Sequence, residues 1–292
     1  MIQEKPPRAL VDLSLAAVAL IWGATFVLVK RALDDVSTLT FLALRFAIAA
    51  VALALVFRST LHRADLQRGL SGGILAGMCL FGGYVLQTFG LKYTSASKAG
   101  FITGLYIPLV PLFSSILYRR MPRLDEMAGV AMAFAGLTLM TVEHDLLSIN
   151  RGDLLVSGCA VAYSFHILVL GRFAQSIGAG VLAVMQIATA AVLAGATFWW
   201  VEPVRIRWSS DVWIALAVTS LLATALAFFV QSWAQRWSSP TRTALIFSME
   251  PVFAWATSYV VAREVLSARA IAGAGLILAG ILLVELRPFK TS

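Results

Sequence analysis

The chain contains the stretch Tyr84-Val-Leu-Gln87-Thr88-Phe89-Gly90-Leu-Lys92-Tyr93-Thr94-Ser95-Ala-Ser97-Lys98 and, 144 residues later, the related stretch Phe228-Phe-Val-Gln231-Ser232-Trp233-Ala234-Gln-Arg236-Trp237-Ser238-Ser239-Pro-Thr241-Arg242. At this constant offset glutamine matches glutamine, threonine matches serine, and both lysines match arginines. A run of matches in register across fifteen positions indicates an internal repeat, which must be settled before other features are interpreted.

The repeat continues toward both ends of the chain. With a slightly shorter offset of 141, three further matches appear: Trp22 with Tyr163, Arg31 with Arg172, and Arg45 with Gln186. The sequence therefore predicts two repeats, residues 8–146 and 151–287, joined by a short acidic and polar segment.

The composition excludes a water-soluble protein. Charged residues make up 13% of the chain and hydrophobic residues 60%, whereas a soluble domain has about 25% charged residues. The net charge of +8 comes from single lysines and arginines between apolar segments, so it does not indicate a nucleic-acid partner. Cys79 and Cys159 lie within apolar segments and are interpreted as small core residues.

Ten apolar segments approach the roughly 20 residues that a helix needs to cross a bilayer. Each must be helical because lipid offers the backbone no hydrogen-bond partner. Span 1 is longer than the apolar core of a signal peptide, about 7–15 residues, so we expect it to be retained. Numbered in chain order, spans 1 to 10 are residues 11–29, 37–57, 70–91, 99–118, 125–142, 154–171, 178–201, 212–235, 242–262 and 268–286.

The distribution of lysine and arginine gives the orientation. With the N-terminus in the cytoplasm, the cytoplasmic segments hold 13 basic residues and the opposite side holds 9, which favours both termini inside. Because each repeat has an odd number of spans, the two repeats must be inverted relative to each other. The predicted fold is therefore an all-α integral membrane protein with ten transmembrane helices in two inverted five-helix repeats, the plan of many secondary transporters.

Three motifs in this order resemble the drug/metabolite transporter superfamily, EamA type, over essentially the whole chain. They are Thr40-Phe-Leu-Ala-Leu-Arg45-Phe, Tyr93-Thr-Ser-Ala-Ser, and Ser248-Met-Glu250-Pro251-Val-Phe253. The resemblance implies a central cavity lined mainly by spans 1, 3, 4, 6, 8 and 9. It also implies export of small metabolites across a bacterial inner membrane. Within the superfamily the chain resembles the aromatic amino acid exporters.

Polar and aromatic side chains on those spans are the candidate cavity residues. Several form i, i+3 pairs on one helical face, such as Tyr84 with Gln87 and Tyr163 with His166. Such a pocket suits a solute with an apolar side chain and a polar end, although aromatic stripes at this spacing are also common in packing. The predicted substrate-binding residues are Trp22, Thr25, Tyr84, Gln87, Thr103, Tyr106, Tyr163, His166, Gln231, Phe247 and Glu250.

Prolines mark the candidate gates. Pro251 removes a backbone hydrogen bond and frees carbonyl groups near Phe247, while Pro108 and Pro111 are predicted to interrupt span 4 in the same way. Matched interruptions in corresponding helices are a sequence pointer to a transporter's site. Glu250, beside Pro251, could bind a substrate ammonium group, carry a proton or hold span 9 against its neighbours.

Arg45 lies near the centre of span 2, where a charge is costly and marks a function or a buried partner. Its repeat partner is Gln186, so only one half needs the charge. The resemblance places span 2 at the periphery, which favours a packing clamp that hydrogen-bonds carbonyl groups at helix ends, while a functional role for Arg45 stays open.

The glycine pair Gly129 and Gly136 on span 5 matches Gly273 and Gly280 on span 10. Small residues let helices approach closely in lipid. We expect these two spans to pack against each other as scaffold.

Several chemistries have no sequence signature. The chain lacks GxxxxGK[ST], so it is not a P-loop nucleotidase, and His166 has no nearby cysteine or paired carboxylate to form a metal site. We therefore expect no cofactor and no enzymatic activity.

The leading hypothesis is a secondary transporter that exports small metabolites, chiefly amino acids with aromatic or bulky apolar side chains, by alternating access. Its partners would be the small-molecule substrate and the lipid bilayer, with coupling to protons left open. The alternatives are a drug or lipid-precursor translocator of the same fold and, in a different class, an intramembrane enzyme or a scaffold.

Overall fold

The computed structural model describes residues 5–94, 96–119, 121–141, 150–253, 256 and 268–285. These residues form helices joined by short loops. The helices are α1 (Arg8–Ala32), α2 (Thr38–Phe57), α3 (Arg63–Gly90), α4 (Ala96–Thr103), α5 (Tyr106–Tyr118), α6 (Leu124–Thr141), α7 (Arg151–Phe173), α8 (Ala179–Thr197), α9 (Ser210–Ala234), α10 (Pro240–Phe247) and α11 (Ala268–Glu285).

Six of these helices, α1, α2, α3, α7, α8 and α9, are long and apolar enough to cross a membrane. α5 and the central part of α11, Ile271–Leu283, are shorter apolar helices. The predicted all-helical membrane protein is thus confirmed for the described residues, while the number of ten spans stays a prediction. Most of the polar segment between the predicted repeats and the far end of predicted span 9 lie outside the described residues.

Capping residues in the sequence fix two helix starts. At α7 the Asn150 side chain accepts a hydrogen bond from the Asp153 backbone N–H (3.0 Å), and the Asp153 carboxylate accepts one from the Asn150 N–H (2.9 Å). This capping box satisfies donors that the first helical turn leaves free. At α10 the Ser239 hydroxyl accepts from the Arg242 N–H (3.2 Å) and Pro240 occupies the first helical position.

Two helices break at equivalent places in the two halves. α4 stops at Thr103 and α5 begins at Tyr106, while α10 stops at Phe247 and a helical turn resumes at Glu250. Each boundary in the second half lies 144 residues after its counterpart. The backbone hydrogen bonds match as well, from Leu105 to Ile102 (3.1 Å) and from Met249 to Ile246 (3.1 Å). The breaks therefore belong to a repeated local structure.

Proline explains where the helices resume. Pro108 and Pro251 each lie in the first turn of a new helical segment, where the missing N–H needs no intrahelical acceptor. The Gly104 carbonyl, which the residue at 108 would otherwise bond, accepts from the Ile107 N–H (3.0 Å) instead.

The prediction that Pro111 interrupts span 4 is wrong, because α5 continues through Pro111 to Tyr118. A single proline removes only one backbone hydrogen bond, and the neighbouring bonds hold the helix. The Ser115 hydroxyl donates to the Pro111 carbonyl (2.7 Å). Predicted span 4 is therefore two helices whose break lies ahead of both prolines.

α6 and α11 pack closely through their glycines. A Cβ atom placed on Gly136 would lie 2.4 Å from the Gly273 carbonyl oxygen, and one on Gly280 would lie 2.6 Å from the Gly129 carbonyl oxygen. Both distances are too short for any side chain, so glycine is required at these positions. The predicted glycine-mediated packing of these two spans is confirmed.

The other major helix contacts also join the first half of the chain, residues 5–141, to the second half, residues 150–285. α3 packs against α7 and α8, α2 packs against α8, and α1 packs against α9. Near one end of the molecule the Asp12 carboxylate on α1 accepts hydrogen bonds from Arg242 on α10, with Nε–Oδ1 at 2.9 Å. Both side chains are buried, so this ion pair closes the gap between the two helices.

Where α3 ends and α7 begins, a second polar contact joins the halves. The Thr94 hydroxyl donates to the Asp153 carboxylate over 2.8 Å. Asp153 lies 141 residues after Asp12, which is the offset that relates the first span of each predicted repeat. Pro240, at the start of α10, lies against Gly171 near the end of α7, so the Asp12 ion pair and Asp153 lie near opposite ends of α7.

Candidate functional site

A large cavity lies between the two halves, with about 750 Å³ of space free of protein atoms, part of it open to solvent. Helices α1, α2, α3, α4, α5, α7, α9 and α10 and the turn at Glu250 contribute to its wall. The structure places all eleven predicted substrate-binding residues on this wall. The lining residues are Trp22, Thr25, Val29, Arg45, Tyr84, Gln87, Thr88, Leu91, Thr103, Tyr106, Tyr163, His166, Ile167, Phe228, Gln231, Phe247 and Glu250.

Aromatic rings form the apolar part of the wall. The Trp22 ring lies 5.3 Å from that of Phe228 and 4.9 Å from that of Phe247, measured between centroids. Tyr84 and Tyr163 meet edge to face at 5.8 Å. Rings at these separations attract one another and are fixed by their neighbours, so they present a preformed apolar surface.

An amide on α3 organises the polar wall. The Gln87 side chain donates to the Thr103 hydroxyl (3.2 Å) and accepts from the Tyr163 hydroxyl (3.3 Å). These contacts join α3, α4 and α7, so the two halves share one hydrogen-bonded group. All three side chains line the cavity. A solute can replace either of these hydrogen bonds with a hydrogen bond of its own.

The equivalent amide on α9 has a different environment. Gln231 donates to the Gln235 side chain (3.0 Å), which itself donates to the Ile167 carbonyl (2.9 Å). Among the described residues no donor reaches the Gln231 side-chain oxygen. A buried acceptor without a donor is uncommon, so this oxygen is available to a ligand donor.

His166 faces the cavity and is held from behind. A ring nitrogen, Nε2, lies 2.8 Å from the Gln186 side-chain oxygen, and the Gln186 amide donates to the Ser232 hydroxyl (2.9 Å). His166 also meets the Phe228 ring edge to face at 5.6 Å. The imidazole therefore has a fixed orientation on the wall.

Arg45 reaches the cavity from α2, so the structure adds a place on the cavity wall to the predicted clamp. Its Nε donates to the Thr224 hydroxyl (2.7 Å) and its Nη2 to the Tyr84 hydroxyl (3.0 Å). The guanidinium also lies 4.6 Å from the centre of the Tyr84 ring. It both clamps neighbouring helices and lines the wall, because its long side chain extends from the peripheral helix.

A π-helical segment in α9, Leu221–Leu226, makes this contact possible. The wider turn exposes the Ala223 carbonyl, which accepts a hydrogen bond from the Trp22 indole (2.9 Å) and lies 3.5 Å from Nη2 of Arg45. Single π-helical turns within α-helices occur frequently at functional sites. Here the segment anchors two cavity residues of the first half.

Glu250 is the carboxylate on the cavity wall. It is the first residue of the helical turn after the second break, the position that Tyr106 occupies after the first break. Within the described residues it makes no hydrogen bond or ion pair with another side chain.

The predicted gating prolines, Pro108, Pro111 and Pro251, do not line the cavity. Pro108 and Pro251 lie one or two residues beyond the wall residues Tyr106 and Glu250. They set the backbone from which those side chains project, and their role in gating stays a prediction.

Six pairs of lining residues occupy equivalent positions in the two halves. They are Trp22 and Tyr163, Thr25 and His166, Tyr84 and Phe228, Gln87 and Gln231, Thr103 and Phe247, and Tyr106 and Glu250. Phe228 is the one member of this set that was not predicted, and its match with Tyr84 in the repeat was the signal for it. Val29, Thr88, Leu91 and Ile167 were also missed.

Comparison with known families places both halves in one group. The model of the EamA-like transporter family matches residues 9–142 and again residues 150–286. An uncharacterized transporter of Archaeoglobus fulgidus is 35% identical over 284 residues, which cover 97% of this chain and 88% of the relative. The uncharacterized transporter YyaM of Bacillus subtilis is 25% identical over 89% of this chain and 88% of its own length.

A solved structure titled "Crystal structure of protein" superposes with a TM-score of 0.79 at 20% sequence identity. The match covers 96% of this chain and 98% of the other. At this identity the likeness concerns the fold.

Proposed function

This chain belongs to the EamA-like transporter family, and we propose that it exports small metabolites, chiefly amino acids with aromatic or bulky apolar side chains, by alternating access through the cavity between its halves. The family establishes a membrane transporter and fits the predicted drug/metabolite transporter superfamily. The substrate and the mechanism are our proposal.

The observation that carries the substrate class is the composition of the cavity wall. Aromatic rings, including Trp22, Phe228 and Phe247, supply most of the apolar surface. A few amide, hydroxyl and ionisable groups, including Gln87, Arg45 and Glu250, lie among them. A pocket with an apolar wall and a few fixed polar groups suits a ligand that has both an apolar side chain and a polar end, as in an amino acid with an aromatic side chain.

The matched helix breaks support inverted repeats, residues 8–146 and 151–287, that move against each other. Broken helices at the interface of two repeats are typical of secondary transporters, with the site near the bilayer midplane. The reciprocal packing of α1 with α9 and of α3 with α7 also fits a two-fold relation. Rocking of one repeat against the other would expose the cavity to each side in turn.

The proposed location is the plasma membrane, the inner membrane in bacteria, with both termini in the cytoplasm. The excess of lysine and arginine on the segments of that side supports this orientation. Proton coupling and a facilitative mechanism are both compatible with Glu250, and the experiment below separates them.

The test is counterflow in liposomes that contain the purified protein, with labelled phenylalanine, threonine and a cationic dye, each with and without a pH gradient. We expect phenylalanine exchange, competed by other bulky amino acids and unaffected by the gradient. Protein-free liposomes are the control. Dye movement that depends on the gradient would instead indicate a proton-coupled drug pump, and an absence of exchange for all solutes would refute the proposal.

A further inference from the structure

The cavity wall holds two charged side chains, one from each half, that do not neutralise each other. Arg45 comes from α2 and Glu250 from the turn after α10. Among the described residues, no carboxylate lies within 4 Å of the Arg45 guanidinium and no basic group lies within 4 Å of Glu250. Arg45 is buried and Glu250 is partly buried. A charge held largely away from water without a partner is unfavourable, so each group is available for a ligand of opposite sign.

Arg45 retains free donor capacity toward the cavity. Its side chain is almost fully buried, with 4% of the residue surface exposed. Nε and Nη2 make the contacts with Thr224, Tyr84 and the Ala223 carbonyl. The described residues give Nη1 no acceptor, although a guanidinium carries five N–H donors. The planar donor fork matches the geometry of a carboxylate.

The surroundings of Arg45 hold the guanidinium in place. The π-helical segment Leu221–Leu226 supplies two acceptors, and the Tyr84 ring packs against the planar face. A guanidinium fixed on three sides loses little conformational entropy when it binds an anion. These contacts therefore form a rigid support for a binding group.

Glu250 lies on the same cavity wall as Arg45, Tyr84 and Tyr163. The Gln231 side-chain oxygen, which lacks a donor among the described residues, adds a second acceptor on the wall. An ammonium group, with three donors, fits a carboxylate and an amide oxygen.

We propose that Arg45 and Glu250 make the cavity selective for zwitterions, with Arg45 binding the carboxylate of the solute and Glu250 its ammonium group. This inference rests on the proposed function and names the residues that recognise the polar end of the substrate. It assigns Arg45 a binding role in addition to its contacts with α9.

The test measures binding, which does not depend on transport. Ligand-dependent thermal stabilisation of the purified protein in detergent is recorded for L-phenylalanine, L-phenylalaninamide, 3-phenylpropionate and glycerol 3-phosphate. The amide lacks the carboxylate and phenylpropionate lacks the ammonium group. We expect each to bind at least about tenfold more weakly than phenylalanine, since a hydrogen bond to a charged group contributes that much or more.

Two variants separate binding from a purely structural role. Arg45→Gln, which introduces the side chain found at the equivalent position 186, should weaken phenylalanine binding at least about tenfold and leave binding of the amide unchanged. Glu250→Gln should weaken phenylalanine and leave phenylpropionate unchanged. Gly82→Ala is the control, because a Cβ there has no described atom within 4 Å.

Equal binding of phenylalanine and its amide by the wild-type protein would overturn the inference, as would the absence of stabilisation by phenylalanine. Tighter binding of glycerol 3-phosphate would overturn it in favour of a phosphate-bearing solute. An Arg45→Gln variant that loses all ligands equally would leave Arg45 as a clamp. If that variant does not fold, the wild-type ligand series decides alone. Counterflow that fails while charge selectivity holds would refute only the proposed transport.

Discussion

Gly82 and Gly83 are neighbours on α3, but they face different surroundings. A Cβ on Gly83 would lie 2.3 Å from the Tyr163 ring, whereas a Cβ on Gly82 would have no described atom within 4 Å. We expect Gly83→Ala to displace Tyr163, break its hydrogen bond to Gln87 and cost about 1–3 kcal/mol of strain. Phenylalanine exchange in liposomes should fall roughly tenfold or more.

Gly82→Ala is the matched control and should exchange at the wild-type rate. Both variants replace a glycine with alanine on the same helix, so the change in helix propensity is the same in both. Equal exchange by the two variants would show that the position of Tyr163 is irrelevant to the solute.

For single residues, the sequence predicted most of the polar and aromatic side chains on the cavity wall. The i, i+3 pairs and the repeat both select the same helical faces. It did not predict the reach of Arg45. The direction in which the Arg45 side chain extends depends on the space in the cavity and on the position of its hydrogen-bond acceptors. The acceptor here is the Ala223 and Thr224 region of a π-helical segment, for which the sequence carried no signal that we recognised.

The contact between α6 and α11 depends on backbone approach at glycine. Gly280→Ala would place a Cβ 2.6 Å from the Gly129 carbonyl oxygen, while Gly275→Ala on the same helix meets no described atom within 4 Å. We expect Gly280→Ala to lower the free energy of unfolding by about 1–3 kcal/mol. Thermal unfolding in detergent measures the loss.

The glycine variants also distinguish scaffold from site. Gly275→Ala should unfold at the wild-type temperature or slightly above it, since alanine favours the helix. Gly280→Ala should keep the wild-type order of solute preference in the protein that remains folded, because α6 and α11 supply no described lining residue. A changed order of preference would contradict the assignment of this pair as scaffold.

Element boundaries were predicted less well than element existence. The apolar runs located the long helices, but predicted span 4 contains a break that hydropathy does not show. The prolines indicated the region of this break but not its position. Pro111 lies inside α5, whereas Pro108 and Pro251 lie in the first turns of new helical segments. The effect of a proline depends on whether its missing N–H falls at a helix start or in a helix interior.

Movement of the whole molecule should require the Asp12 and Arg242 pair to separate, because it joins α1 of the first half to α10 of the second half. We expect a short thiol cross-linker between Asp12→Cys and Arg242→Cys, in a background with Cys79→Ser and Cys159→Ser, to stop counterflow. Cleavage of the linker by reductant should restore it.

The single-cysteine variants treated with the same reagent are the controls and should retain exchange. Each single-cysteine variant leaves one partner of a buried ion pair without its counter-charge, which costs about 3–5 kcal/mol. The single and double variants must therefore all be shown to fold and to exchange solute before cross-linking. Undiminished exchange in the cross-linked protein would mean that this end of the bundle stays closed throughout transport.

The repeat in the sequence predicted which residues of the two halves share one cavity. The offsets of 144 and 141 relate residues that the structure indeed places around one cavity, such as Gln87 with Gln231. The size of that cavity could not be predicted, because it depends on how closely the halves approach at Gly136 and Gly280 and on where α4 and α10 end. Packing across the interface sets those distances, and the sequence pattern does not.

The six equivalent pairs on the wall have a consequence for engineering and descent. In five of these six pairs the two equivalent positions carry different side chains, and only Gln87 and Gln231 are identical. An exchange such as Glu250→Tyr or Tyr106→Glu therefore introduces a residue that the same local backbone already accommodates elsewhere. The side chain found at one position of a pair is thus a compatible substitution for the other. Single changes in one copy of a duplicated ancestor could have made the pocket asymmetric and selective for a solute, while the helix breaks stayed intact.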